Sequence, residues 1–207
     1  PLTSINLAVA LLAEPNLPQD RRVALIDDIS RSLGRIEWLI STLLKISRLD
    51  AGAIDLRRDN VRVRNLIKAA SAPLEIAMDL HNLKFTVECP DNASITADMA
   101  WSTEAIGNIL KNSVEHTPDG GNINVTVTDT SIFVQIEISD SGEGFSDADL
   151  PRLFERFYKG HGSSEQSVGI GLALSRMIIT RQNGSVIAEN GQNGGALFTI
   201  RFYKGIV

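Results

Sequence analysis

Between Gln19 and Arg48, apolar side chains recur at Ile26, Ile29, Leu33, Ile36, Ile40 and Leu43, in steps of three and four. Steps of that size hold side chains on one face of an α-helix, and sustained over many turns they form the seam of a helical bundle. Charged residues such as Asp27, Asp28, Arg31, Arg35 and Lys45 fall on the other faces. The preceding stretch, PLTSINLAVALLA, puts Leu2, Ile5, Val9 and Leu12 on one stripe, with Pro1 suited to a first helical turn. EPNLPQD then interrupts the pattern with two prolines, as a tight connection between antiparallel helices does. One short and one long helix leave so regular a seam uncovered. Either a second copy of the chain completes a four-helix bundle, or the seam packs on the sequence downstream. A homodimer through residues 1–50 is the expectation carried forward.

Composition closes several alternatives. The chain has 207 residues, 43% of them hydrophobic and 22% charged, enough apolar material for a core. Its net charge of −5 argues against a direct nucleic-acid partner, which needs a basic footprint. Cys89 is the one cysteine, so no internal disulfide forms. No stretch approaches the roughly 20 apolar residues that cross a bilayer, and the opening segment lacks the basic flank of a signal peptide. A soluble, cytoplasmic chain is expected, and the abrupt start on Pro1 leads us to expect natural sequence upstream.

Asp50-Ala51-Gly52 ends the long helix, with Gly52 as a stop. From residue 51 to 207 the texture becomes mixed. Ile54–Val61 reads as an edge strand, Arg64–Leu80 as a helix, LKFTVEC and SITAD as short strands, and Met99–His116 as a helix. NINVTVTDT and IFVQIEISD alternate cleanly and form a hairpin. Gly169–Gln182 is a further helix, and GSVIAEN with ALFTIRFY makes a last hairpin around GQNGG. The fold class is therefore α+β: a helical hairpin, then an α/β sandwich with one mostly antiparallel sheet covered by helices on one face.

Four segments of this second part carry chemistry. In NILKNSVEHTP, Asn108, Asn112 and His116 are spaced by four and share a helix face, while Ile106, Ile109, Leu110 and Val114 point elsewhere. An asparagine amide oxygen can ligate Mg2+, a hard cation usually shared with substrate phosphates; a polar solvent face is the plainer alternative. In DSGEGF, the strand-end carboxylate of Asp140 can accept a hydrogen bond from an exocyclic amine, and Gly142 and Gly144 let backbone approach a flat ring; an ordinary turn is the alternative. LFERFYKG has Leu153, Phe154 and Phe157 as apolar anchors, and the small polar run HGSSEQS after it reads as a lid or a surface loop. Arg156 and Lys159 at its root are within reach of phosphate oxygens. GIGLAL opens a helix with Gly169 and Gly171, where free N–H groups favour phosphate. It is neither a dinucleotide fingerprint, since Leu174 replaces the third glycine, nor a Walker loop.

Taken in order, these segments resemble the N, G1, F and G2 boxes of the ATP-binding domain of sensor histidine kinases, in the superfamily that includes gyrase, the Hsp90 chaperones and MutL. The resemblance implies a Bergerat-type ATP-binding domain over 51–207. Residues 1–50 then resemble the dimerisation and histidine-phosphotransfer hairpin, with PLTSI just past the phosphoacceptor motif. It implies that Asp140 recognises adenine, that Gly142 and Gly144 shape that site, and that Asn112 is the Mg2+ ligand with Asn108 assisting. By the same resemblance His116 lies against the purine, and Gly169, Gly171 and Leu172, with Arg156 and Lys159, border the lid and phosphates. ATP and Mg2+ are the implied ligands. The receiver domain of a response regulator is the implied partner, and a bacterial membrane sensor the implied parent.

Kinase and ATPase part at one position. The ATPase branches activate water with a glutamate one turn before the metal-binding asparagine. Asn108 stands there, and an amide takes up no proton at neutral pH. Glu104 is a further turn away. The acceptor histidine is expected upstream of Pro1, because His81, His116 and His161 lack its context. Glu115 replaces a common lysine, and Ala196 a common Thr or Ser. A non-catalytic, nucleotide-binding dimeric interaction module is the alternative those two departures support.

Overall fold

A computed structural model describes residues 2–14, 16–160, 168–192 and 194–205. The chain divides into two compact units, 1–51 and 52–207. The first is a pair of helices packed on each other, α1 (Leu2–Leu12) and α2 (Gln19–Asp50). Pro18 caps α2 in an extended conformation, and Arg22 N–H donates to its carbonyl at 3.0 Å. Asp20 in the first turn and Arg48 in the last oppose the helix dipole. Gly52, at φ +65°, lies just beyond α2. The placement of Pro1 in the first turn of α1 lies outside the described residues.

The apolar seam of α2 splits in two. Ile29 and Ile36 are half-buried, with Leu25 and Leu39. Ile26, Leu33, Ile40 and Leu43 are 49%, 50%, 55% and 41% exposed. A step of three residues turns a helix by about 300°, so 26/33/40 and 29/36 form neighbouring stripes, and a partner of eleven residues covers little of their length. On α1 the covered side runs through Ile5, Ala8 and Leu12. Leu2 and Val9, read from the sequence as part of that stripe, point outward at 69% and 53% exposure.

In the second unit, β1 (Asp59–Arg62) pairs antiparallel with β3 (Ser94–Ala97). The strand begins at Asp59, not Ile54, because its partner is four residues long; 53–58 carry no regular structure. The helix read over Arg64–Leu80 is three pieces: α3 (Val63–Ser71), a 3-10 turn (Ala72–Leu74) and α4 (Glu75–Leu80). Pro73 makes the break, since it has no N–H to donate back into α3.

Five strands make the main sheet, in the order β2 (Lys84–Glu88), β4 (Asn122–Asp129), β5 (Phe133–Asp140), β7 (Ala196–Tyr203), β6 (Gly184–Asn190). Neighbours are antiparallel except β2 and β4, whose parallel pairing is reached through the crossover that contains β3 and α5 (Met99–His116). Helices α5 and α6 (Gly171–Arg181) lie on the sheet, and α3 packs on α5. Every second strand residue faces them: Ile123, Val125 and Val127; Val134, Ile136 and Ile138; Phe198, Ile200 and Phe202 are all buried. The other rows, such as Asn124, Thr126, Gln135 and Glu137, are half-buried and polar. The period of two has a consequence at the end of β5: after Val134, Ile136 and Ile138, the next residue on the helix side is Asp140.

Candidate functional site

Helix α5 is set in place by its cap. The Asp98 carboxylate accepts from Ala100 and Trp101 N–H at 3.0 and 3.1 Å, and its own N–H donates to Gln182 Oε1 at 2.6 Å. Ser175 Oγ of α6 donates to the Ala105 carbonyl at 2.9 Å, tying the two helices together. With Ala105, Ile106, Ile109, Leu110 and Val114 turned into the core, Asn108 and Asn112 stand half-buried on another stripe and His116 ends it exposed.

Both ends of that stripe meet other segments. A Cβ built on Gly171, in the first turn of α6, would lie 3.7 Å from Asn108 Cβ and 3.8 Å from its Oδ1. A Cβ on Gly142 would lie 2.5 Å from the His116 carbonyl oxygen and 3.0 Å from Asp140 Oδ1. The asparagine face thus runs from the start of α6 to the loop after β5. Asn108, Asn112, His116, Asp140, Gly142 and Gly171, distant in sequence, are neighbours along it.

Asp140 is 6% exposed. Its Oδ1 accepts from Gly142 N–H and Ala196 N–H, each at 3.0 Å. Its Oδ2 is buried without a hydrogen-bond partner. An unmet acceptor in a protein interior costs about 1–3 kcal/mol, more when charged, and this oxygen can accept one further donor. Gly195, at φ +75°, passes so close that a Cβ there would lie 1.9 Å from the Asp140 carbonyl oxygen. Gly144, at φ +76°, lies against Asn190, with a built Cβ 2.6 Å from Oδ1. Phe145 closes the loop edge-on against Phe198, centroids 5.6 Å apart.

The sequence marks neither Gly195 nor Asn190 for this site, and marks Ala196 only as the loss of a side-chain hydroxyl. Ala196 acts through its N–H, which no side-chain motif reveals. The signal was the β5–β7 register: Ser139 pairs with Leu197, so Asp140 falls beside Ala196. That register cannot be read before the strand order is known.

The aromatic segment departs from expectation at Phe157. Leu153 and Phe154 are half-buried, and the Arg176 guanidinium lies 5.7 Å from the Phe154 ring. Phe157 is 60% exposed, at φ +65°. Backbone replaces it as the anchor: Phe157 N–H donates to the Gly169 carbonyl at 2.8 Å, and a Cβ on Gly169 would meet the Tyr158 carbonyl oxygen at 2.0 Å. Tyr158 adds a side-chain tie, its hydroxyl donating to Asp149 Oδ1 at 2.5 Å with Arg152 stacked 4.1 Å from its ring. That hydrogen bond raises the Tyr158 pKa above the ordinary 10.0. The protonated form is thereby favoured: its contribution is present below the ordinary tyrosine pKa and lost as pH climbs through the raised value. In an ultraviolet titration we expect one tyrosine to ionise later than free tyrosine, and Asp149→Asn to remove the delay.

Arg156 Nη2 lies 3.4 Å from Met177 Sδ on α6, and Lys159 is exposed; these contacts place neither beside Asp140. Leu172 is half-buried in the first turn of α6. That helix begins at Gly171, not Gly169, whose φ of +70° is left-handed. The lid segment His161–Ser167 lies outside the described residues. Glu115 pairs with Lys111 at 3.6 Å on the surface, a contact of small energetic weight.

Among the described residues no group of three or more His, Cys, Asp or Glu is placed to hold a metal. A divalent ion at Asn112 would therefore take most of its ligands from a bound molecule and water, which suits Mg2+ shared with phosphates. No helix among them is long and apolar enough to cross a membrane.

A family described as histidine kinase-, DNA gyrase B-, and HSP90-like ATPase matches residues 97–205. The signal transduction histidine-protein kinase BaeS of Escherichia coli is 28% identical over 178 residues, 84% of this chain and 38% of that protein. The sensor protein SphS of Synechococcus elongatus is 29% identical over 219 residues, 97% of this chain and 51% of that protein. The chain thus spans about half or less of the length of these relatives. Among solved structures, histidine kinase ThkA in complex with the response regulator protein TrrA superposes with a TM-score of 0.81 at 21% identity, covering 99% of this chain and 57% of that one. At that identity the likeness is one of fold.

Proposed function

The chain belongs to the family of histidine kinase-, DNA gyrase B- and HSP90-like ATPases, and on that footing we propose that it is the ATP-dependent core of a two-component sensor kinase. In this reading the γ-phosphoryl group of ATP passes to a protein histidine and then to an aspartate on the receiver domain of a response regulator. One observation carries it: the buried, unpartnered Oδ2 of Asp140 beside a backbone approach that glycine alone allows.

Asp140 accepts from the exocyclic amine of adenine with Oδ2, while Gly142 and Ala196 N–H hold its Oδ1. Gly142 and Gly144 let the chain lie against the ring, and His116 closes that side. Asn112 supplies an amide oxygen to Mg2+, with Asn108 next to it and next to Gly171. Mg2+, when bound, neutralises charge on the phosphates. Gly169, Gly171 and Leu172 bring the N-terminal N–H groups of α6 to the same place, and Arg156 and Lys159, in the segment that precedes that helix, supply positive charge to the phosphates. Asn108 takes up no proton, which protects the phosphoryl group from attack by water and favours transfer over hydrolysis. The described histidines lack the context of the acceptor: His81 follows α4, and His116 ends α5 in the nucleotide site.

The non-catalytic module gains no support from Ala196, since the contact that matters there is a main-chain N–H. ThkA is crystallised with a response regulator, which supports a receiver domain as partner here. Residues 1–50 are proposed to dimerise, burying the exposed row Ile26, Leu33, Ile40 and Leu43 in a four-helix bundle. Sedimentation should give twice the 22.5 kDa chain mass, and Leu33→Asp should give the monomer; a wild-type monomer would remove the bundle. A cytoplasmic position in a membrane-anchored bacterial sensor belongs to the same proposal.

The test is a titration with a fluorescent ATP analogue, with and without Mg2+, followed by incubation of the kinase with γ-labelled ATP. Mg2+-dependent binding and acid-labile phosphate on histidine are expected. Steady phosphate release without labelling would assign hydrolysis instead. Asn112→Ala should leave residual binding that no longer responds to Mg2+.

A further inference from the structure

A loop with two glycines after a strand has many conformations open to it, so something must select the one that serves Asp140. The first half is held by Asp140 itself, through Gly142 N–H. The second half is held by Asn190, the last residue of β6. Phe145 N–H donates to Asn190 Oδ1 at 2.7 Å, and Asn190 Nδ2 donates to the Phe145 carbonyl at 2.8 Å. The pair fixes which end of the amide is which, since the flipped amide would set donor against donor and acceptor against acceptor. Asn190 also faces Ala196 across the β6–β7 ladder, and Ala196 N–H holds Asp140 Oδ1. Asp140, the glycine loop, Phe145, Asn190 and Ala196 thus form a closed ring of contacts around one carboxylate.

We propose that Asn190 is a positioning residue for base recognition: it holds 142–145 at the spacing Asp140 needs to read an adenine, without touching the nucleotide. This rests on the reading of the site given above. Asn190 is exposed, and water replaces its bonds at modest cost to the fold, so its loss should fall on recognition. Losing two hydrogen bonds at the low end of their ordinary net worth, as fits an exposed site where water substitutes, corresponds to about a fivefold to tenfold change in affinity.

The experiment competes ATP and GTP separately, each with Mg2+, against a fluorescent ATP analogue on the full chain. Asn190→Ala should weaken ATP by about fivefold to tenfold, leave GTP within about twofold, and so shrink the ATP-over-GTP preference. Asn190→Asp, which keeps the acceptor for Phe145 N–H and loses the donor to the Phe145 carbonyl, should fall between. The nucleotide-free melting temperature should stay within about 3 °C of wild type for both. Unchanged ATP affinity overturns the proposal. So does equal weakening of ATP and GTP with a large fall in melting temperature, which marks Asn190 as merely structural. Wild-type protein that binds no ATP is a different failure: it removes the site reading, and this proposal with it, before any variant is made.

Discussion

Asp140→Asn is expected to weaken ATP binding by about tenfold to a hundredfold, the range for a hydrogen bond to a charged group, while the nucleotide-free protein melts no lower than wild type. The two halves have one cause. Oδ1 already accepts two main-chain N–H groups, and an asparagine oxygen can do the same. Its NH2 group must then occupy the place of Oδ2, where it points a donor at a donor. Folding loses nothing, because Oδ2 has no partner in the protein and its charge is costly to bury. Scanning fluorimetry and a fluorescent titration on the same sample measure both. Affinity unchanged by the substitution would mean that Oδ2 meets no ligand.

Gly195→Ala is the second large effect, and it strikes the fold as well. Its φ of +75° costs an L-residue about 1–2 kcal/mol. The added Cβ would also lie 1.9 Å from the Asp140 carbonyl oxygen, and backbone inside a sheet cannot step aside. Strain and overpacking together should cost about 2–4 kcal/mol and lower the melting temperature of the 52–207 unit by about 5–15 °C. ATP binding should be lost too, because Ala196 N–H must shift with its neighbour. Gly194→Ala is the control: its φ is +85°, yet a Cβ there meets nothing within 4 Å. If the two variants melt alike, dihedral strain alone is at work and the close approach is irrelevant.

The elements were legible where local chemistry marks both ends. Helix α5 runs from Met99 to His116 as read, because Asp98 caps its start and Pro118 follows its end. The last hairpin kept its bounds because clean alternation flanks a glycine-rich turn. Less was legible where the deciding fact lies far off in the chain. Alternation cannot tell that β2 pairs parallel with β4, since the crossover between them decides that. Phe157 was read as an anchor from residue type alone; in an irregular segment no period says which way a side chain points. The aspartate, asparagines and glycines of the site could be picked out as residue types in order. The roles of Asn190, Gly195 and Ala196 could not, because they depend on an alignment of strands 56 positions apart.

Strand β5 works as a ruler with divisions of two. Three of its marks are hydrophobic and the fourth is the carboxylate, all on one edge. Inserting a single residue between Phe133 and Ile138 would leave one part of that column displaced to the opposite side. The apolar contacts and the ligand's acceptor then could not both stay in phase. A drifted ladder in this protein would therefore announce itself first as a failure to hold its nucleotide.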